Sequence, residues 1–241
     1  MPKAAQDRLQ ALGWLSERAE DFQQAVLSAA TVRRYGTGEY THHIGDAPGG
    51  IYCVQQGSFA VLAQNAASSI VLGHVMRRGG WFGQGPLMTG RPRALTFRAM
   101  EPSSVLYLSL ARIDEICRRM PQGQLGFATL TEYNSVISYR IISELLIRRS
   151  DQRIAAVLLR LLGQNEAGTD AGTAAAADPG ADGGAGLPLT QADLAEMANV
   201  SRHTANAVLG QFEHRGWVRL GYGRIALLDE AGLRDLLAAD G

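Results

Sequence analysis

The spacing of apolar residues changes along the chain, and each change predicts a different kind of structure. Residues 4 to 30 carry apolar side chains at helical spacing, with a break near Gly13. From residue 31 to 109 the apolar runs are short and are separated by glycine-rich turns, which predicts antiparallel strands. Helical spacing returns in a predicted helix from Ser109 to Met120, which Pro121 ends, and in a second stretch after Pro121. We therefore expect an α+β protein with an N-terminal antiparallel β-roll of the jelly-roll kind, followed by helices.

The second helical stretch predicts one long amphipathic helix from about Gln124 to Leu162. A long amphipathic helix between two domains is typical of a dimer interface. The candidate dimer contacts on this helix are Leu130, Ile137, Ile141 and Leu145. The alternative is a helix packed on its own chain, and both can hold if the part from Ile154 onward packs locally.

Residues 163 to 188 have a different composition from the rest of the chain. Of these 26 residues, 7 are glycine and 8 are alanine, and none is aromatic or basic. Such a segment buries too little apolar surface to offset the entropy of ordering it. We expect a flexible loop here, dispensable for folding.

Two short amphipathic helices with a tight turn between them are predicted from Thr190 to Gly216. Thr190 is a candidate N-cap of the first helix, with Asp193 completing a capping box, and Ser201 is a candidate N-cap of the second. This pattern is typical of a helix–turn–helix, which reads DNA with the first residues of its second helix in the major groove. The alternative is an ordinary helical hairpin with a polar face.

Two apolar runs, Trp217 to Leu220 and Arg224 to Leu228, flank the turn Gly221-Tyr222-Gly223 and predict the hairpin of a winged helix. Between Ser201 and Ile225 there are four arginines against one acid, Glu213. The outward-facing residues at the start of the second helix are expected to face base edges. Residues at the N-termini of both helices and on the wing are expected to contact phosphates. The candidate DNA-contacting residues are Thr190, Ser201, Arg202, His203, Asn206, Arg219, Tyr222 and Arg224.

Length and composition fit a folded protein of two domains joined by a helix. The 241 residues are 46% hydrophobic, and 23 basic residues balance 23 acidic ones. We expect a sensor domain over 1–121, a dimerisation helix over 122–151 and a DNA-binding domain over 152–241. Two isolated cysteines, no signal-peptide pattern and no long apolar run indicate a cytoplasmic protein without membrane contact. The sequence contains neither a nucleophile–base motif nor the ligand spacing of a metal enzyme, so we do not expect an enzyme.

The segment from Trp81 to Ala94 interrupts the strand pattern with glycine, proline and two arginines. Backbone N–H groups at a helix start, together with an arginine, can form an anion-binding site. The alternative is a glycine-rich corner of the β-roll with solvated arginines.

The whole order of elements resembles the Crp–Fnr family of bacterial transcription regulators. The motifs that carry the resemblance are Phe82-Gly83, Arg93-Ala94, Arg153-Ile154-Ala155 and Val200-Ser201-Arg202-x-Thr204. The resemblance implies a homodimer whose sensor domains control the placement of two recognition helices on double-stranded DNA, with RNA polymerase as a further partner. His203 and Ala207 replace a glutamate and an arginine of the usual recognition helix, so the operator is expected to differ.

The resemblance also implies a small-molecule effector, and in some members this is a cyclic nucleotide. The positions that match the effector site are Gly83, Gln84, Gly85, Arg93, Ala94 and, on the long helix, Ser138. Arg93 matches the arginine that binds the phosphate. Gln84 stands where the family has a glutamate for the ribose, and Ala94 offers no hydroxyl. We therefore expect weak or no binding of cyclic nucleotides.

Other cofactors of the family are not expected. An iron–sulfur centre needs a cysteine cluster, which Cys53 and Cys117 cannot form. His42, His43 and His74 are candidate haem ligands, but histidines of a β-roll are more often structural, and we expect no metal. A second functional hypothesis is a nucleotide-sensing adaptor that acts on a protein partner without binding DNA.

Overall fold

The computed structural model describes residues 9–162 and 186–239. Its helices are α1 Gly13–Ser16, α2 Glu20–Ala29, α3 Gly85–Thr89, α4 Leu110–Arg119, α5 Gly123–Leu145, α6 Ser150–Leu162, α7 Gln191–Met197, α8 Arg202–His214 and α9 Glu230–Ala238. Its strands are β1 Thr31–Tyr35, β2 Tyr40–His42, β3 Ile51–Gln56, β4 Phe59–Gln64, β5 Ile70–Met76, β6 Trp81–Phe82, β7 Thr96–Ala99, β8 Ser103–Leu108, β9 Val218–Gly221 and β10 Arg224–Leu227.

The predicted antiparallel β-roll is confirmed. It consists of two four-stranded sheets with the orders β1-β8-β3-β6 and β2-β7-β4-β5, in which all paired strands are antiparallel. An aromatic core, including Tyr52, Phe59, Phe82 and Phe97, fills the roll. The ring centroids of Phe82 and Phe97 are 4.0 Å apart and nearly parallel. The interior of the roll is therefore occupied by its own side chains.

Helices cover the outer face of the first sheet. Trp14 of α1 packs edge-on against Trp81 of β6, with 5.3 Å between ring centroids. Phe127 and Leu130 of α5 complete this cluster, and Leu130 is fully buried in it. The prediction that Leu130 contacts a dimer partner is therefore wrong, because this side chain belongs to the core of its own sensor domain.

The C-terminal domain covers the outer face of the second sheet. Leu72 and Val75 of β5 share one hydrophobic cluster with Ile154 and Leu158 of α6, and α7 also lies against β5. The two domains thus bury apolar surface against each other, which stabilises their relative placement by excluding water from both.

The predicted continuous helix from Gln124 to Leu162 is wrong, because α5 ends at Leu145 and α6 begins at Ser150. The guanidinium of Arg153 donates to the carbonyl oxygen of Ile147 at 2.5 Å and to that of Ala198 at 2.5 Å. The break is therefore tied to the C-terminal domain through Arg153, and the segment predicted as a dimerisation helix over 122–151 consists of α5 and this connection.

The winged helix is confirmed, with β9 and β10 forming its antiparallel wing. Most of the segment predicted as a loop over 163–188 lies outside the described residues, so the prediction of a flexible loop is not tested there. Its last part is described and is not a loose connection. Leu187 is buried and pairs with Ile225 of β10 through two backbone hydrogen bonds of 3.0 and 3.1 Å.

Candidate nucleic-acid interface

The start of α8 presents polar side chains to solvent. Ser201 caps the helix, since its Oγ accepts the backbone N–H of Thr204 at 3.0 Å. Arg202, His203 and Asn206 are exposed on the outer face. The opposite face is apolar and buried through Ala205, Val208, Leu209 and Phe212. Helical periodicity thus separates a packed face from a polar face, as the sequence predicted.

The turn between α7 and α8 sets the direction of α8. Asn199 adopts a left-handed backbone conformation with φ of 48°, which asparagine tolerates better than most residues. The N–H of Val200 then reaches the carbonyl of Ala195 at 3.0 Å. Thr190 and Asp193 form the predicted capping box at the start of α7, with bonds of 3.1 and 2.8 Å. Both helix starts are therefore fixed by local hydrogen bonds.

Three predicted contacts lie on the wing, and they have different environments. Tyr222 at its tip is fully exposed, and Arg219 of β9 is exposed. Arg224 instead points to the sensor domain, where its Nη2 lies 2.7 Å from Oε2 of Glu101. The predicted phosphate contact of Arg224 therefore competes with this ion pair, which the sequence did not reveal.

The glycine-rich segment of the sensor domain holds Arg93 in a buried position. Arg93 is 4% exposed, and its Nη1 and Nη2 donate to the carbonyl oxygens of Gly83 at 2.6 Å and Gly50 at 2.8 Å. Gly83 has a φ of 90°, and a Cβ there would lie 2.9 Å from Nη1 of Arg93. Gly83 thus makes room for Arg93. The buried Arg93 matches neither of the two predictions from the sequence, which were an open anion-binding site and a solvated arginine.

The other predicted effector residues are more exposed than Arg93. Gln84 precedes α3 and Gly85 begins it, and a Cβ built on Gly85 would meet only open space. Ala94 is exposed, and Ser138 is exposed on α5. Of the six predicted residues, the structure brings Gly83 and Arg93 into direct contact.

His42 belongs to the aromatic core of the roll. Its ring centroid lies 5.6 Å from that of Tyr52 and 5.3 Å from that of Phe97. Burial, together with the positive charge of Arg93, lowers the pKa of His42 to about 3. The ring is therefore neutral at physiological pH. In the part of the chain that is described, no group of three or more His, Cys, Asp or Glu side chains could hold a metal ion.

A buried polar group joins the two domains, and sequence reasoning missed it. Arg160 of α6 pairs with Glu144 of α5 at 2.8 Å, and its Nη1 lies 2.6 Å from Nδ1 of His74 in β5. Burial, and then the charge of Arg160, lower the pKa of His74 well below its usual value. An arginine in an otherwise apolar run of α6 was the available signal, because a buried arginine needs an anionic partner.

Comparison with known proteins agrees with these two domains. The family model of the cyclic nucleotide-binding domain matches residues 32–120, and that of the Crp-like helix-turn-helix domain matches residues 152–236. No helix within the described residues is long and apolar enough to cross a membrane.

Individual relatives match at low identity. The transcriptional regulator SdrP of Thermus thermophilus is 33% identical over 104 residues, which are 43% of this chain and 46% of SdrP. This chain thus spans about half the length of SdrP. The HTH-type transcriptional regulator Cmr of Mycobacterium tuberculosis is 24% identical over 211 residues, which are 87% of this chain and 78% of Cmr.

Among solved structures, FixK2 from Bradyrhizobium japonicum superimposes with a TM-score of 0.68 at 19% identity, covering 88% of this chain and 99% of FixK2. At this identity the likeness shows the fold. The β-roll, the long helix and the winged helix occur in one order, and both domain models match in that order, so the chain belongs to the Crp–Fnr family of transcription regulators.

Proposed function

We propose that this protein is a homodimeric, sequence-specific DNA-binding transcription regulator without catalytic activity, which acts in the cytoplasm together with RNA polymerase. The observation that carries the proposal is the exposed polar start of α8, where Arg202, His203 and Asn206 follow the Ser201 cap. The buried face of α8 packs on its own domain, so the polar face is free to enter a major groove.

The chemistry of these side chains suggests which base edges they read. Arg202 is suited to the O6 and N7 acceptors of guanine, and Asn206 to N6 and N7 of adenine. His203 stands beside them in place of the family's usual glutamate. Thr190, Ser201, Arg219 and Tyr222 surround this face, with hydroxyl groups and a charge suited to phosphates.

The dimer would form along the exposed face of α5. Tyr139, Ile142 and Leu146 are 57–76% exposed at spacings of three and four residues, and Leu125 continues the same face nearer the start of the helix. Of the predicted contacts, Leu145 is exposed, Ile141 is half-buried and Ile137 is buried. The stripe that a partner would cover is thus displaced from the one that the sequence predicted.

Tight binding of cyclic nucleotides to the sensor domain is not expected. Both Nη atoms of Arg93 donate to backbone carbonyls, and aromatic rings fill the roll beside them. A phosphate would compete with both carbonyls for Arg93, and Gln84 offers the ribose a weaker partner than a carboxylate. Isothermal titration with cyclic AMP and cyclic GMP is expected to show weak or no binding. Submicromolar affinity for either would refute this part of the proposal.

Binding selection from randomised duplexes tests the main proposal. The dimer is expected to enrich a pseudo-palindrome whose half-sites are about one helical turn, roughly 34 Å, apart. Failure to enrich any sequence, together with the absence of a gel shift on the gene's own promoter region, would instead favour an adaptor that acts on a protein partner.

A further inference from the structure

Glu101 lies in the turn between β7 and β8, where serine hydroxyls of the sensor domain hold its carboxylate and its backbone carbonyl. Oε1 accepts a hydrogen bond from the hydroxyl of Ser58 at 2.9 Å, and Ser58 is buried. The hydroxyl of Ser103 donates to the backbone carbonyl of Glu101 at 2.7 Å. The carboxylate is thus positioned by the sensor domain itself, independently of the wing.

The second carboxylate oxygen binds the wing. Nη2 of Arg224 lies 2.7 Å from Oε2 of Glu101, and the two side chains are 27% and 26% exposed. Arg224 is the first residue of β10 and lies three residues after Gly221, the last residue of β9. A cation of the proposed DNA-binding surface is therefore neutralised by an acid of the sensor domain, 123 residues away in sequence.

A third charged group faces this pair. Arg77 follows β5, its pKa is lowered by burial, and the negative charge of Glu101 opposes that shift. Nη1 of Arg77 donates to the carbonyl oxygen of Leu161 in α6 at 2.6 Å. Glu101 thus lies near two arginines, of which Arg77 is fixed to the end of α6 and Arg224 belongs to the wing.

We propose that Glu101 is a positioning residue for DNA binding, which competes with DNA phosphate for Arg224. This inference rests on the proposed function. Nη2 of Arg224 donates to Glu101, and the same guanidinium would bind a phosphate, so an Arg224 held against Glu101 has its charge and part of its donors turned away from DNA. A partly exposed ion pair is weak, and DNA is a dense polyanion whose counterions are released on binding. DNA phosphate can therefore compete for Arg224, and the sensor domain lowers DNA affinity because Glu101 holds Arg224 for part of the time in the complex.

The test is a double-mutant cycle in the full-length protein, with DNA affinity measured across a salt series. Glu101→Gln removes the charge while retaining an acceptor for Ser58. It is expected to tighten binding about threefold to tenfold and to steepen the salt dependence by up to about one unit, because Arg224 then contacts phosphate without competition from Glu101. The gain should vanish when Arg224→Gln is also present. Glu115→Gln, an acid of α4 that pairs with Arg112 and Arg119, is the control and should leave affinity unchanged.

Several outcomes would overturn the inference. Unchanged or weaker binding by Glu101→Gln, or a gain that persists with Arg224→Gln, would show that the pair is only structural. If Glu101→Gln does not fold, Glu101→Asp draws the carboxylate back by one methylene and is expected to tighten binding by a smaller factor; no change there would also refute the proposal. Absence of DNA binding by the wild-type protein is a different result, which refutes the proposed function itself.

Discussion

Arginine residues differ in role here according to what surrounds each guanidinium. Arg202 and Arg219 are exposed and available to a ligand. Arg93 and Arg160 are buried; Nη1 and Nη2 of Arg93 donate to backbone carbonyls, whereas Nε and Nη1 of Arg160 meet a carboxylate and a histidine and its Nη2 has no hydrogen-bond partner among the described residues. A buried guanidinium must satisfy several donors, so packing around it fixes its conformation.

The two exposed arginines are expected to give different binding phenotypes. Arg202→Ala should cost about 1–3 kcal/mol on the preferred operator and relax the preference at one base pair per half-site. Arg219→Ala, the matched control on the wing, should weaken all sequences alike and reduce the salt slope by about one unit. Binding selections with both variants measure these effects. An unchanged base preference with Arg202→Ala would remove this residue from base recognition.

His42 should make stability depend on pH. Its pKa is about 3 in the folded protein and about 6.5 when unfolded, so between these values the unfolded chain binds a proton that the folded one does not. Stability therefore falls as the pH falls below about 6.5, by up to about 1.4 kcal/mol per pH unit.

His42→Gln removes this contribution. Urea unfolding is expected to show that the variant loses about 2 kcal/mol less than the wild type between pH 7 and pH 5. The same substitution at the exposed neighbour His43 is the control. An equal loss in wild type and His42→Gln would show that the ring is protonated in the folded state.

At the scale of elements, α5 carries two apolar faces, one buried within its own chain and one exposed. Phe127, Leu130 and Ile137 are buried within their own chain, whereas Tyr139, Ile142 and Leu146 are exposed. Both faces have helical spacing, so the apolar pattern of the sequence could not say which one would remain uncovered. An exposed apolar face of this kind is typical of an interaction surface, which supports the proposed dimer.

Ile142→Asp is expected to convert the dimer to a monomer, because it places a charge in the proposed interface without touching the sensor core. Light scattering at micromolar protein concentration measures the oligomeric state. Gln24→Asp, at an exposed polar position of α2, is the control and should remain a dimer. A dimeric Ile142→Asp would place the interface elsewhere.

At the scale of the whole molecule, a buried ion pair connects the domains. The side chains of Arg160 and Glu144 are 3% and 12% exposed, and burial raises the pKa of Glu144 while Arg160 opposes that rise. His74 extends the group into the sensor sheet. The end of α5, the start of the DNA-binding domain and the β-roll are thus linked at one point, next to the break between α5 and α6.

Arg160→Met should destabilise the protein by about 3–5 kcal/mol in urea unfolding, since Glu144 would stay buried without a cation. Adding Glu144→Leu should recover a large part of this loss. Arg234→Met removes an ion pair with Glu230 at the exposed surface of α9 and should change stability by less than about 1 kcal/mol. Equal losses of stability in Arg160→Met and Arg234→Met would contradict the proposal that burial makes the Arg160 ion pair important.

The sequence by itself determined the features that depend on neighbours along the chain. Strand and helix periodicity, the Thr190 and Ser201 caps and the polar start of α8 involve residues a few positions apart, whose backbone and side-chain geometry is local. Only the tertiary structure decided the break after Leu145, the burial of Arg93 and Leu130, and the pairing of Arg224 with Glu101. These depend on groups far apart in sequence, such as Arg160 and His74, which are separated by 86 positions and meet only because two domains pack together. Burial and charge pairing at such contacts come from the packed fold, so no local pattern encodes them.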